Sequence, residues 1–453
     1  MSFDLICNIH YIIALIALVW MIWRYRDNSF LLLVLLMAFE GSLVYLISNI
    51  TAQYMRIIFV IWVSYLMSKE KILEKLSNKM LSVLGSFIFF SAYFIWVCLY
   101  IHDDSVLMTF SQYSKYYVPF GVLLLMDAYY RKNLNNIIYF NKFFGEVILI
   151  QILVATVTYI LLGFHHWEGM VGTFGPIDGG NHATTFPLVA LAWVLVNSNM
   201  DIKGAKSWLF MFGLLMIGVA AGKRAIIVLY PFFYVLFSIL VAQKRYARGM
   251  LLTIMLAPVF LYVGLRLTPS LNPEHKVWGR FDIEYALNYG KDYSIGQENI
   301  RGERHEGDGR VGAVVLVFNR IMDVEQYSNK TWFGYGLTRL YTSRDDAWYY
   351  DRTRNFGINH SGSITGGVRM LLAIGLVGFL LFMFYYFLYF SHIYYKRLRY
   401  ALYGMVMFDF IFYGSTIILE PIIAITLIFV MYYSRIQYTP SGRYVGQKHP
   451  YFQ

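Results

Sequence analysis

Charge is what this sequence has least of. Only 14% of its 453 residues are Asp, Glu, Lys or Arg, against about 25% in an ordinary soluble domain. So few charges cannot cover a compact body with polar surface, which excludes a water-soluble globular class. Cysteine is equally scarce. Cys7 and Cys98 are the only two, and both stand inside apolar runs, so neither a structural disulfide nor a thiolate metal site is expected. The sequence has no HExxH pair, no clustered Asp/Glu run and no Walker or Rossmann glycine pattern, so no metal and no other cofactor is expected. It has no solenoid repeat and no low-complexity tract. The first apolar run, about Leu5 to Trp23, has no basic residue before it and no small-residue cleavage site, so a cleavable signal peptide is not expected.

What is present is apolar. Hydrophobic residues make up 58% of the chain, and the mean hydropathy is +0.51. A membrane-crossing helix needs about 20 mainly apolar residues. Runs of that kind fall near 5–23, 30–49, 53–68, 79–101, 116–131, 143–163, 182–198, 207–222, 225–242, 249–267, 367–391, 401–418 and 420–434. The expected fold class is therefore an all-α integral membrane protein with about 12–14 transmembrane helices. Its expected divisions are 1–267 (N-terminal helices), 268–366 (a large loop), 367–434 (C-terminal helices) and 435–453 (a tail).

The net charge of +11 would suggest nucleic acid in a soluble chain. Here the basic residues crowd the short loops, where membrane topology wants them, and no nucleic-acid partner is expected. Arg24 and Arg26; Lys69, Lys71, Lys75 and Lys79; Arg131, Lys132 and Lys142; Lys203 and Lys206; Lys244, Arg245 and Arg248; and Lys396, Arg397 and Arg399 all fall in alternate loops. The positive-inside rule makes these loops cytoplasmic. The N-terminus and the 268–366 loop are then extracytoplasmic, and the tail is cytoplasmic. The other short loops hold few basic residues, namely Lys115, Lys223 and Arg224. The long loop is too long to be structureless in a compact protein, so a small cap is expected. Its stretch Arg310–Met322 reads as an apolar helix packed on the mouth of the bundle.

Several ionisable residues resist the general pattern. Lys223 and Arg224 form an adjacent basic pair in a short outer loop. They read either as snorkelling side chains or as an anion site. Glu40 and Asp409 fall inside predicted spans, where charge is costly and seeks a partner; Arg56 or His10 could serve Glu40. Arg56 and Arg369 sit near outer ends and read as snorkelling, or as additions to an anion site. Asp127 and Glu146 sit near inner ends and suggest no role. In Asp346–Phe356, Trp348, Tyr349 and Tyr350 interleave with Arg352 and Arg354. Such aromatics suit sugar rings and equally suit loop packing. His360, in Asn359-His360-Ser361-Gly362-Ser363, lies just before the last group of helices and can take a proton near neutral pH.

Four segments resemble the O-antigen ligase and O-antigen polymerase superfamily of bacterial envelope glycosyltransferases. Gly172-Thr173-Phe174-Gly175 through Asn181-His182-Ala183 is similar to the family's GTFGNPN loop. Gly222-Lys223-Arg224-Ala225 is similar to its small-residue–Arg turn, with Lys where Ser is common. Gly309-Arg310, followed by an apolar helix and Trp332-Phe333-Gly334-Tyr335-Gly336-Leu337, resembles its GR…PLFGYGLG block. Asn359-His360-Ser361 with Ala373-Ile374-Gly375-Leu376-Val377-Gly378 resembles its HNxxL…ELGLIGL ending, with Ser361 in place of Asn and Ala373 in place of Glu.

The resemblance implies a GT-C-like fold in a bacterial inner membrane. It implies undecaprenyl-pyrophosphate-linked glycans as substrates, used without metal, and membrane lipids and assembly proteins such as a chain-length regulator as partners. Arg224 and Arg310, with Lys223, would bind the donor pyrophosphate, and His360 would activate the acceptor hydroxyl. A polymerase, which extends the glycan on a new lipid-linked repeat, is the leading expectation. A ligase acting on lipid A–core is the alternative. A lipid-linked oligosaccharide flippase and a non-catalytic scaffold are expectations of other classes.

Overall fold

The structure is a computed structural model. It describes residues 3–47, 51–162, 172–173, 182–198, 205–221, 223–241, 255, 258–259, 261–266, 268, 271–276, 278–295, 309–322, 329–344, 347–349, 356–358, 364–414 and 421–436. The apolar runs fold as helices because a helix satisfies its own backbone polar groups wherever water is scarce. In chain order these are α1 (Phe3–Tyr25), α2 (Ser29–Ala38), α3 (Glu40–Ile47), α4 (Thr51–Lys69), α5 (Asn78–Trp96), α6 (Val106–Lys132), α7 (Leu134–Leu162), α8 (His182–Asn197), α9 (Ala205–Ala220) and α10 (Arg224–Val241). Then come α11 (Ile283–Ile295), α12 (Arg310–Met322), α13 (Asn329–Phe333), α14 (Gly366–Phe390), α15 (Lys396–Phe408) and α16 (Pro421–Ile436). A two-stranded antiparallel ribbon, β1 (Thr342–Arg344) and β2 (Ala347–Tyr349), interrupts the series.

Among the described residues, four helices are long and apolar enough to cross a membrane: Asn8–Tyr25, Asn78–Ile101, Leu134–Val157 and Gly366–Phe390. Five shorter apolar helices accompany them. Large apolar side chains stand bare on their outer faces, including Trp23 at 69% and Phe89 at 72% exposure, as a lipid-facing surface requires. At the centre runs α16. It packs on α6, α7 and α8, and its residues from Ile422 to Ser434 are all buried.

Two expected spans need correction. The 30–49 run breaks at Phe39 into α2 and α3. The 116–131 run begins ten residues early, at Val106, so Lys115 lies within α6 and not in a loop. The run at 249–267 falls largely outside the described residues.

The bundle's two ends differ chemically. Described basic residues from several of these loops gather at one end. Arg24 pairs with Glu146 at 3.1 Å, Lys132 pairs with Glu70 at 3.3 Å, and Lys79 donates to the Ser391 carbonyl at 2.7 Å. Asp127, expected to be solvated and without a role, is buried there instead. It takes Arg131 at 2.5 Å and the Tyr432 hydroxyl at 2.9 Å, with Arg435 at 3.9 Å. Burial, then Arg435, Lys79, Arg399 and Arg131, hold His392 down at about 3. Its neutral ring can therefore accept a hydrogen bond from Arg435 at 2.8 Å through Nδ1.

At the other end, loops plug broken helices. The break at Phe39 frees the Ala38 carbonyl, which accepts from the Thr173 hydroxyl at 3.0 Å. Thr173 is itself clasped by Gln151, whose Oε1 accepts from the Thr173 amide at 2.6 Å, and by Ser42, whose amide and hydroxyl both reach the Thr173 carbonyl. Gly172 precedes it at φ 57°, and a Cβ there would lie 2.2 Å from Gln151 Oε1.

A second break opens α14 at Gly375 (φ 69°, ψ −170°). The segment after α13 enters it. The Tyr335 amide donates to Leu372 at 2.6 Å, and the Gly336 amide donates to Ala373 at 3.0 Å. The Tyr93 hydroxyl serves both Trp332 (2.6 Å) and Ile374 (3.1 Å). A Cβ on Gly375 would lie 2.4 Å from the Trp332 oxygen, and the backbone conformation there is open essentially to glycine alone. Gly375→Ala should therefore cost about 2 kcal/mol or more. The expected outcome is a clearly lower thermal unfolding midpoint in detergent and faster proteolysis between 332 and 344.

Candidate functional site

Two of the residues singled out by the resemblance, Arg224 and Arg310, are the first residues of helices. Arg310 opens α12, directly after Gly309 at φ 75°. The helix spans the residues expected of it and buries Ala313, Val317 and Ile321, a four-residue spacing that gives one apolar face. That face packs on α14. The Arg310 guanidinium carbon lies 4.5 Å from the centre of the Tyr413 ring. Tyr413 ends a π-turn that follows α15, and its hydroxyl lies 3.2 Å from Thr184 Oγ1 on α8. In the same turn Asp409 accepts from Thr185 Oγ1 at 2.7 Å, which gives that intramembrane acid a partner.

Arg224 opens α10 as expected, and its side chain lies outside the described residues. For Lys223 the burial goes against the snorkelling reading. It is only 8% exposed, not a snorkelling surface residue, and its amide closes the end of α9 by donating to Gly218 at 2.9 Å. His360 and Tyr350 lie outside the described residues. Trp348 and Tyr349 sit in β2 opposite Ser343 and Thr342, with their side chains outside what is described.

The chain on either side of His360 is firmly held. Asp104 accepts from the Leu337 amide, the Thr338 amide and the Thr338 hydroxyl, all within 2.8 Å. His102 Nε2 lies 2.9 Å from the Phe333 carbonyl. Further along, Phe356 meets Tyr335 edge to face at 5.0 Å, and Ile358 is fully buried. Five residues after His360, Thr365 caps α14 and donates to the Ile411 carbonyl at 2.7 Å. The segments resembling PLFGYGLG and ELGLIGL are thus in direct contact, through the break at Gly375.

A cluster that sequence reasoning did not assemble lies inside the bundle. Glu40 opens α3 beside the Phe39 break and pairs with Arg56 Nε on α4 at 3.2 Å, which decides between its two candidate partners. Lys115 on α6 donates to Gln112 Oε1 at 2.6 Å, and the Tyr341 hydroxyl also reaches that oxygen, at 3.3 Å. Arg56, Arg369 and Glu40 all lie close enough to act on the charge of Lys115. Arg56 and Arg369 therefore do not snorkel: their side chains are largely buried. The available signal was the polar run Thr109, Ser111, Gln112, Ser114 and Lys115. All but Lys115 are buried, and together they mark an inward face of α6.

Comparisons with family models, with curated proteins and with solved structures returned no match to this chain. The functional reading therefore rests on the geometry and on the resemblance of the four segments.

Glu40 is the sole carboxylate among these four charges. Its neutralisation in Glu40→Gln takes this partner from the Arg56 guanidinium, whose side chain is largely buried. Removing one partner of a buried pair typically costs about 3–5 kcal/mol. The expected result is a large fall in the unfolding midpoint, partly restored in the Glu40→Gln/Arg56→Met double variant, where the freed charge is also gone.

Proposed function

We propose that this chain is a polysaccharide polymerase of the O-antigen type, acting at the outer face of a bacterial inner membrane. It moves a growing glycan from undecaprenyl pyrophosphate to a hydroxyl of a new lipid-linked repeat. The observation that carries the reading is the joining of Trp332–Leu337 to Leu372–Ile374, which ties down both flanks of the stretch that holds His360. Arg310 supports it from the opening turn of α12, backed by the Tyr413 ring, and Arg224 supports it as the first residue of α10.

The chemistry needs little else. The acceptor oxygen attacks the anomeric carbon from the face opposite the pyrophosphate. The bond from that carbon to the pyrophosphate oxygen breaks, and the configuration inverts. His360 takes the hydroxyl proton as a general base. Negative charge grows on the departing undecaprenyl pyrophosphate, where Arg224 and Arg310, with Lys223 nearby, stabilise it. The donor is already activated, so neither nucleotide nor metal is required. Trp348, Tyr349 and Tyr350 would bear on glycan, since aromatic faces with polar handles suit sugar rings. A flippase would need no outer base, and extension of glycan by purified protein in detergent, without a sealed compartment, separates the two. In a deletion strain, single-repeat-capped core marks a lost polymerase, and unattached polymer on the lipid carrier marks a lost ligase.

His360→Ala should keep folding and donor binding while losing about 10²–10⁴-fold in turnover, the usual share of general-base catalysis. Arg310→Lys keeps the charge but loses the planar fork and its stacking on Tyr413, so it should remain clearly impaired. Chain extension and donor binding measured on one detergent preparation check both; a His360→Ala protein extending at the wild-type rate removes the base assignment.

The orientation has its own check. An impermeant thiol reagent should label a cysteine placed near residue 300 in intact spheroplasts and spare one in the tail after Ser434. The reverse pattern inverts the proposed topology.

A further inference from the structure

The helix α12 is apolar on two faces. One face, Ala313, Val317 and Ile321, is buried, and the helix packs on α14. The second carries Val311, Val315, Phe318 and Met322, whose spacing of four, three and four residues sets them in one line along a helix. Val315, Phe318 and Met322 are bare, at 51%, 48% and 37% exposure. A helix that borders water turns polar residues outward. Arg320, the only charge after Arg310 in this helix, lies toward Gly357 instead: a Cβ on that glycine would stand 3.4 Å from its guanidinium.

Depth decides what the bare face meets. The first residue of α12 stands beside the start of α14. Arg310 lies 4.5 Å from the Tyr413 ring centre, and the next residue, Gly414, accepts from the amide of Gly366, the first residue of α14, at 2.9 Å. The far end of α12 is held at the Gly375 break. The Thr331 hydroxyl donates to the Ile321 carbonyl at 2.8 Å, and a Cβ on Gly334 would stand 2.7 Å from the Ala373 backbone. From Gly366 to Gly375 is nine residues (375 − 366), about 13 Å of helix. Since α12 has 13 residues and is only about 18 Å long, it slants steeply along α14 and does not lie across its tip.

The 25 residues of α14 extend about 36 Å, against a hydrocarbon layer of about 30 Å. Even with the whole surplus of about 6 Å standing out at the Gly366 end, Gly375 lies about 7 Å inside the hydrocarbon. Contacts with α5 agree. The Phe333 ring meets Trp96 edge to face at 5.5 Å, and Trp96 belongs to the apolar stretch Asn78–Ile101. Burial marks the same division. Every residue from Gly366 to Gly375 is buried, whereas Leu380, Phe384 and Phe387 farther along α14 are bare. Beside the first part of α14, α12 and α13 thus take the place that lipid takes beside the rest.

We propose that α12 and α13 form a re-entrant element embedded in one leaflet, with Val311, Val315, Phe318 and Met322 seated against lipid hydrocarbon. This part of the 268–366 loop is then no cap standing in water. The inference needs α14 to cross the membrane and is independent of the polymerase reading. It leaves Arg310 at the boundary where lipid phosphates lie, while the other end of α12 reaches below it.

The test uses the full chain in phospholipid vesicles, with a nitroxide on one introduced cysteine: Val315→Cys, Phe318→Cys or Met322→Cys. Phe384→Cys is the lipid reference and Asp27→Cys the water reference, and the unsubstituted chain gives the background from Cys7 and Cys98. Collisions with oxygen, which concentrates in hydrocarbon, are compared with collisions with a water-soluble nickel chelate. The oxygen-to-nickel ratio at 318 and 322 should approach that at 384, exceed that at 27, and rise from 315 to 322 along the slant. A ratio at 318 and 322 equal to that at 27 puts the face in water and overturns the proposal. Few collisions with either reagent mean that another segment or a second copy covers the face, which overturns it as well. A label-free measurement stands beside these. Phe318→Asp should lower the unfolding midpoint in vesicles clearly below that of Phe318→Leu, because charge in hydrocarbon is costly; equal midpoints count against the embedded face.

Discussion

A backbone amide or carbonyl that cannot reach water must find a partner inside the protein, and the arrangement of this molecule follows from how it meets that demand where its helices are interrupted. Regular helix needs no help. The interruptions at Phe39 and Gly375 do, and each is answered by a loop from far away in the chain. Thr173 crosses more than a hundred residues of sequence to reach Ala38, and Tyr335 and Gly336 close the open turn at Gly375. The loops that do this come from segments that carry the family resemblance. The same contacts that make a broken helix tolerable also hold the loops in register, so stability and site geometry share one set of hydrogen bonds.

Polar chemistry is sorted along the bundle by this means. One end is tied by pairs between basic residues and acids, with the buried Asp127 as its focus. The opposite end is tied mainly by backbone carbonyls receiving loop amides and hydroxyls, with Asp104 gripping Leu337 and Thr338. Rigid ties at that end suit a catalyst that must place a base and a leaving group with little play, because a misplacement of about 1 Å can cost a hundredfold in rate.

Much of the helical layout was legible in composition, because lipid selects for long apolar runs and a helix is the simplest way to bury them. Even the bounds of the helix at Arg310–Met322 could be read, from a glycine before it and an apolar face every four residues. What could not be read was whatever depended on a distant partner. Gly375 looks like an ordinary small residue in an apolar helix, and nothing local reveals that the Trp332 carbonyl will lie against it. The start of α6 was placed too late because Thr109, Ser111, Gln112 and Ser114 are polar. Hydropathy registers polarity and not direction, and these side chains face inward. Lys115 was misplaced in a loop for the same reason. Asp127 was read as solvated because its partners, Tyr432 and Arg435, lie some three hundred residues ahead. His360 and the Arg224 guanidinium keep the standing that their sequence context gave them.

The position of α16 also bears on how the molecule is made. It is the last of the described helices to leave the ribosome, yet it occupies the centre, with Tyr432 and Arg435 meeting Asp127. Until it arrives, α6, α7 and α8 have no common core to close on, and Asp127 has only Arg131, from its own helix, to answer it. The other helices pack extensively on one another, α4 on α6, α5 on α14 and α7 on α9, and α16 fills the space among α6, α7 and α8.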